Sequence, residues 1–196
     1  MSIKNNVSSF LTRSGLKGYI AHNYRFNSDE EENEYNSKCG RLGLQSDWFC
    51  GYVGIPIDSP FWLIPYNAKI RVTWAKNKEI KFNGFENIQS GEFRLESILD
   101  CHGGLTFSDD QMSQFSLGFD RDHDGDGGIT EEYVKYDVEN LAVQIKKYSD
   151  FIKENAVDLI FETTYHVSRS KWTDEEYLDR IKPLEYIDHN PKHFYW

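Results

Sequence analysis

Apolar residues recur at two different spacings along this chain, and each spacing predicts a different kind of element. Between Thr130 and Ile152 the clearest pattern is a repeat of three or four residues, which indicates one long helix with a continuous apolar stripe. Thr130 is placed to cap the start of this helix, with Glu131 and Glu132 facing the positive end of the helix dipole. The stripe consists of Val134, Val138, Leu141, Ile145, Tyr148 and Ile152.

Alternating or continuous apolar runs predict several strands. The predicted strands are 49–55, ended by Pro56, then 69–75, 93–102, 115–120 and 156–161. If the third and fourth of these share a sheet, His102 and Asp120 emerge on the same polar side, near the strand ends.

These elements predict an α+β fold, in which a mainly antiparallel sheet is covered by one long helix. Thr173 opens a short C-terminal helix with capping-box spacing, and that helix stops before Pro183. The 196 residues fit a single domain, 1–196, and the acidic stretch at 27–37 is predicted to be a mobile surface loop.

Composition excludes several classes of protein. A net charge of −10 argues against a surface that binds duplex nucleic acid in general. The sequence also has no polybasic patch of the kind that binds an anionic membrane. Three scattered cysteines without a Cys-x-x-Cys pair argue against a zinc finger or a disulfide framework. No apolar run resembles a signal peptide or a membrane span, so we expect a soluble cytoplasmic protein.

An acidic segment gives the sharpest chemical signal. Between Asp120 and Glu132 the chain places six carboxylates in thirteen residues, a crowding that water or a bound cation must relieve. His102 stands eighteen residues before Asp120, followed by Gly103 and Gly104. The combination predicts a divalent metal site.

Calcium is one candidate metal, but the segment matches the EF-hand pattern imperfectly in two registers. Starting at Asp122, the final ligand position falls on Tyr133 instead of glutamate; starting at Asp120, the hydrophobic position falls on Gly127. A catalytic zinc, manganese or iron is the second candidate, because histidine and carboxylate ligands suit these ions. The third interpretation is a solvated loop that holds no ligand. The candidate metal ligands are His102, Asp120, His123, Asp126 and Glu139.

The order of the motifs resembles a family of small proteins encoded by bacteriophages and prophages. In that family a His-Gly-Gly-Leu-Thr turn precedes a Gly-Phe-Asp-x-x-His-x-Gly-Asp motif and then a helix. The resemblance covers roughly the middle half of the chain, through the segments 50–56, 102–107, 118–126 and 133–142. This sequence departs from the family in carrying Arg121 and Asp122 where small uncharged residues are usual, and Asp124 is a further acidic addition.

The resemblance implies a phage accessory protein that counters host defence in the bacterial cytoplasm, with a small nucleotide-like signalling molecule as its target. Carried over by position, the polar motif of the family falls on His102, Asp120, His123 and Asp126.

Three functions remain open at this point. A metal-assisted hydrolase of a phosphodiester would use the four motif residues as catalytic groups, whereas a sequestering protein would hold the same ligand uncleaved through arginines. A calcium-stabilised interaction module or a direct protein inhibitor is the third, and the oligomeric state, including a homo-oligomer, is left open. The expected ligand-binding residues are Gly103, Gly104, Thr106, Arg121 and Tyr136; Arg94, Arg121 and Arg169 are the arginines a sequestering protein would use.

Overall fold

The computed structural model of the chain describes residues 4–26, 28–39, 47–109, 112, 114–120 and 129–162. In chain order its elements are β1 (Lys4–Leu11), β2 (Lys17–Tyr24), α1 (Asp29–Cys39), β3 (Asp47–Gly54), β4 (Lys69–Trp74), a 3-10 turn (Glu86–Ile88), β5 (Glu92–Phe93), α2 (Leu95–Ile98), β6 (Phe107–Asp109), β7 (Ser116–Asp120), α3 (Glu131–Asn155) and β8 (Ala156–Glu162).

The strands form two antiparallel sheets. The larger has the order β1-β2-β3-β7-β6, and the smaller has the order β5-β4-β8. Every described pairing between neighbouring strands is antiparallel. The predicted α+β class, with an antiparallel sheet and one long helix, is therefore confirmed.

Helix α3 is the longest element, and its sequence explains both its start and its orientation. The Thr130 hydroxyl accepts a hydrogen bond from the Tyr133 backbone N–H at 3.3 Å, which satisfies one of the free donors at the helix start. All six residues of the predicted apolar stripe are buried. They join residues of both sheets in one hydrophobic cluster, so the helix is held mainly by burial of this face.

Two glycines let α3 approach the larger sheet closely. A Cβ atom at Gly51 would lie 2.7 Å from Val138 Cγ2 and 2.5 Å from Phe119 Cζ, and one at Gly18 would lie 2.9 Å from Val138 Cγ1. Such distances are far inside van der Waals contact, so Val138 seats directly on the backbone of β2 and β3.

Contacts along β1 show which way α3 runs. Ser8 Oγ lies 3.5 Å from Glu131 Oε1 at the start of the helix, and Arg13 contacts Glu139 two turns later. The helix therefore begins near the middle of β1 and runs towards the β1–β2 turn. Its N-terminus faces the end of the sheet at which β2 and β7 stop.

Two predictions for secondary structure are wrong. The stretch 93–102 is not a strand: β5 ends at Phe93, and Leu95–Ile98 forms a short helix whose Leu95 and Ile98 are buried. Moreover β5 and β7 belong to different sheets, so these segments do not pair as expected.

The acidic stretch at 27–37 is helical from Asp29 instead of a loop. Four acidic residues occupy its first turn, where the helix dipole favours negative charge, and Ser28 accepts a hydrogen bond from the Glu31 N–H at 3.3 Å. The predicted C-terminal helix lies outside the described residues, and the single-domain organisation stays a prediction. Within the described ranges, no helix has the length and apolarity needed to cross a bilayer.

We predict that Gly51→Ala lowers the free energy of unfolding by about 1–3 kcal/mol, because the new methyl group overlaps Val138 and Phe119. Urea denaturation measures the change. Combining it with Phe119→Leu is expected to give less than the sum of the two single effects, since the smaller side chain makes room. Wild-type stability in Gly51→Ala would contradict the close approach of α3.

Candidate functional site

The segment Cys101–Thr106, here called the histidine turn, is shaped by two glycines. Gly103 has φ 73° and Gly104 has φ 80°, values in the left-handed region that other residues adopt at a cost. The Gly104 N–H donates to the Cys101 carbonyl at 3.0 Å, closing the turn. His102 is exposed on this turn.

Side chains hold the histidine turn at both ends. On one side, Gln144 of α3 accepts from the Asp100 N–H at 2.8 Å and donates to the Asp100 carbonyl at 2.7 Å. On the other, the Thr106 hydroxyl accepts from the Asp120 N–H at 3.1 Å, and the Thr106 N–H donates to the Gly118 carbonyl at 3.0 Å. The turn is thus fixed to both α3 and β7.

The histidine turn contacts one described residue before the acidic segment 121–128 and one after it. Thr106 binds the backbone of Asp120, directly before that segment. The His102 ring meets the Tyr133 ring edge-on, with 6.4 Å between ring centroids, in the first turn of α3 directly after it. Four residues of extended chain span at most about 14 Å, so the Cα atom of His102 lies within about 14 Å of the Cα atom of Thr106.

The backbone N–H of Asp120 contacts Thr106, but the carboxylate of Asp120 lies on the face of the larger sheet opposite α3. Asp120 pairs with Cys50, and alternation along β7 puts it on the face opposite Phe119, which packs in the core with α3. Burial raises the pKa of Cys50 and of Tyr52, and the nearby Asp120 charge adds to both rises. The Asp120 carboxylate therefore lies close to the Cys50 and Tyr52 side chains, on the face of the sheet that is turned away from α3.

The other predicted site residues divide into three groups. Tyr136 is 58% exposed, one turn after Tyr133. The Glu139 carboxylate accepts from the Arg13 N–H at 2.9 Å, in the β1–β2 turn, and Glu139 lies about 12 Å along the helix from Glu131. Arg121, His123, Asp126 and Arg169 lie outside the described residues.

Metal binding stays a prediction. Among the described residues no group of three or more histidine, cysteine or carboxylate side chains is arranged to hold an ion. Of the predicted ligands, His102 is the one whose ring contacts Tyr133 in the first turn of α3. The remaining donors would come from within 121–128, where a histidine and three carboxylates supply the ligand types that zinc, manganese and calcium use.

The sequence interpretation missed one polar cluster at the same end of the sheet. His22, Tyr24 and Asp47 form a hydrogen-bonded chain, and the Phe49 ring stacks on the His22 ring. The alternating His22 and Tyr24 indicated a shared face, but their meeting with Asp47 depends on pairing between β2 and β3. Gln144 was missed for the same reason, because its partner lies 44 residues away.

Comparisons with known proteins leave the family open. No protein-family model and no solved structure matches the chain. Among curated proteins, the 5'-nucleotidase SurE of Wolbachia sp. subsp. Drosophila simulans (strain wRi) and that of Wolbachia pipientis wMel are each 31% identical over 64 residues. The match covers 32% of this chain and 26% of each relative, so the chain spans about a quarter of their length.

We predict that Thr106→Val lowers the free energy of unfolding by about 1 kcal/mol, because the part-buried Asp120 N–H loses its acceptor. Hydrogen exchange at the Asp120 amide should also become faster. Thr106→Ser keeps the hydroxyl and should stay close to wild type. Equal exchange rates in Thr106→Val and wild type would show that this bond does not hold the turn to β7.

Proposed function

We propose that the protein acts on a small nucleotide-like molecule and hydrolyses a phosphoester with the help of a divalent metal ion. The observation that supports the proposal is the position of the histidine turn, which contacts Asp120, directly before the acidic segment 121–128, and Tyr133, in the first turn of the helix that follows it. In this proposal the exposed imidazole of His102 and the carboxylates of the segment act on one ligand.

Each group has a defined chemical task in this proposal. His102, His123 and Asp126 hold the metal or exchange protons with the substrate, and Asp120 opens the segment that carries them. A bound zinc, manganese or calcium ion would polarise a phosphoryl oxygen and lower the pKa of a bound water. The metal also offsets the repulsion between an anionic substrate and the acidic segment.

The surroundings of His102 suit a flat, anionic ligand. Tyr133 and Tyr136 are 49% and 58% exposed, so their rings are available to stack a base. Gly103 and Gly104 leave the backbone of the turn open to close approach, and a Cβ atom at Gly104 would meet nothing within 4 Å. A nucleotide can therefore lie across the turn with its base towards α3.

Two likenesses support a nucleotide as substrate. The curated proteins that match 64 residues are 5'-nucleotidases, although the chain covers only 26% of their length. The motifs shared with small phage proteins add the proposal that the biological role is counter-defence against a nucleotide second messenger of a bacterial host.

We predict that the purified protein, supplied with manganese or zinc, releases product from a panel of nucleoside monophosphates and cyclic nucleotides, and that a chelator stops the reaction. His102→Gln and Asp126→Asn should each lower kcat/KM by at least about 100-fold, since each removes a ligand or a proton-transfer group. Glu79→Gln is the matched control, because it removes an exposed carboxylate from the loop after β4, and it should leave kcat/KM unchanged.

The same assay separates the competing functions. Intact ligand under every metal condition contradicts hydrolysis. Recovery of bound but unaltered nucleotide after denaturation identifies a sequestering protein instead.

A second prediction concerns the metal alone. When the free metal concentration is 100 times the dissociation constant, binding stabilises the folded state by about 2.7 kcal/mol. This stabilisation raises Tm by roughly 5–10 °C in a protein of this size. Thermal denaturation in manganese, zinc or calcium measures the shift, and Asp126→Asn should reduce it whereas Glu79→Gln should not. A response to calcium alone would favour the structural calcium module over catalysis.

A further inference from the structure

Three side chains form a continuous hydrogen-bonded chain across β2 and the start of β3. His22 Nε2 lies 2.6 Å from Asp47 Oδ2, and Tyr24 Oη lies 2.9 Å from His22 Nδ1. An ionised carboxylate only accepts hydrogen bonds, so Nε2 carries the ring proton. In the neutral imidazole Nδ1 is then the acceptor, and the Tyr24 hydroxyl is the donor.

The imidazole in this chain is fixed in orientation. The Phe49 ring stacks on it with 4.2 Å between centroids and 23° between planes. Tyr24 and Asp47 are direct partners in the β2–β3 register, so the sheet itself sets the separation of the two outer groups. Rotation of the His22 ring would break both hydrogen bonds and the stacking contact together.

The three hydrogen-bonded side chains are partly exposed and lie on the side of the sheet that faces α3. The side chains of His22 and Asp47 are 27% and 46% exposed, and Tyr24 is half-buried. His22 follows Ile20 on the face that packs against α3, and Ser8, the β1 partner of Ile20, contacts Glu131. Partly exposed hydrogen bonds of this kind each contribute only about 1 kcal/mol to stability.

A reactive group beside a base, which a third group orients in turn, is the usual geometry of an activated hydroxyl in an enzyme. We propose that Tyr24, His22 and Asp47 form a proton relay in which the Tyr24 oxygen is the general base. Tyr24 takes a proton from an attacking water while its own proton passes to His22 Nδ1, and Asp47 stabilises the imidazolium. The hydroxide attacks phosphorus, and the proton returns from His22 through Tyr24 to the leaving oxygen.

The substrate class, a phosphoester of the nucleotide type, rests on the proposed function; the activation of Tyr24 does not. A probe that reacts without the natural substrate therefore tests the relay by itself. An aryl sulfonyl fluoride forms a sulfur–oxygen bond with an activated phenol and loses fluoride, and the phenolic proton would pass to His22.

The full-length protein is treated with this reagent, and labelled tyrosines are located by peptide mass mapping over time. Tyr24 should be labelled at least about tenfold faster than Tyr136, which is 58% exposed. His22→Gln and Asp47→Asn should lower the Tyr24 rate while leaving the Tyr136 rate unchanged. Tyr19, which is 4% exposed, should stay unlabelled in both variants, which shows that they are folded. Labelling of Tyr24 no faster than Tyr136, or no loss of rate in His22→Gln, overturns the relay.

Hydrolysis by Tyr24→Phe decides the catalytic role. This change removes one oxygen, and kcat should fall by about 100-fold or more with KM little changed. Activity within threefold of wild type overturns the general-base assignment. If wild type hydrolyses no nucleotide yet Tyr24 is labelled selectively, the proposed function fails and the activated tyrosine stands.

Discussion

The position of the histidine turn depends on how helix α3 packs against the larger sheet. Val138 rests on Gly18 and Gly51, where no side chain keeps the helix away from the strands. With that contact in place the helix begins beside Ser8 of β1, and its first turn contacts His102 through Tyr133. The acidic segment 121–128 therefore joins two fixed points, and the histidine turn, clamped to α3 by Gln144, lies against both of them.

The sequence predicted the elements whose apolar pattern is long or flanked by clear signals. Helix α3, its Thr130 cap and the strands β3, β4, β7 and β8 match their predicted stretches closely. The stretch 93–102 was misread because a helix of four residues is too short for its periodicity to differ from alternation. In α1 an apolar stripe is missing, and the usable signal was Ser28 followed by four acidic residues.

The candidate site stays a prediction, and the strand pairing from which it was argued is wrong. His102 and Asp120 were expected on the same side of one sheet, whereas in the structure Thr106 contacts Asp120 and His102 contacts Tyr133. Contacts such as Gln144 with Asp100, or Asp47 with His22, join residues far apart in the chain. Neither spacing nor composition encodes them, because they arise only after the strands pair and the helix docks. The histidine turn was therefore predicted from a sequence motif, whereas the cluster of His22, Tyr24 and Asp47 was not.

The central claim is that the His102 imidazole and the acidic segment share one metal-binding site. Proton NMR of the imidazole C–H signals during addition of manganese tests this most directly, with the His102 signal assigned by its disappearance in His102→Gln. The account predicts that substoichiometric manganese broadens the His102 signal selectively. A His102 signal that stays sharp while manganese broadens other histidines would contradict it.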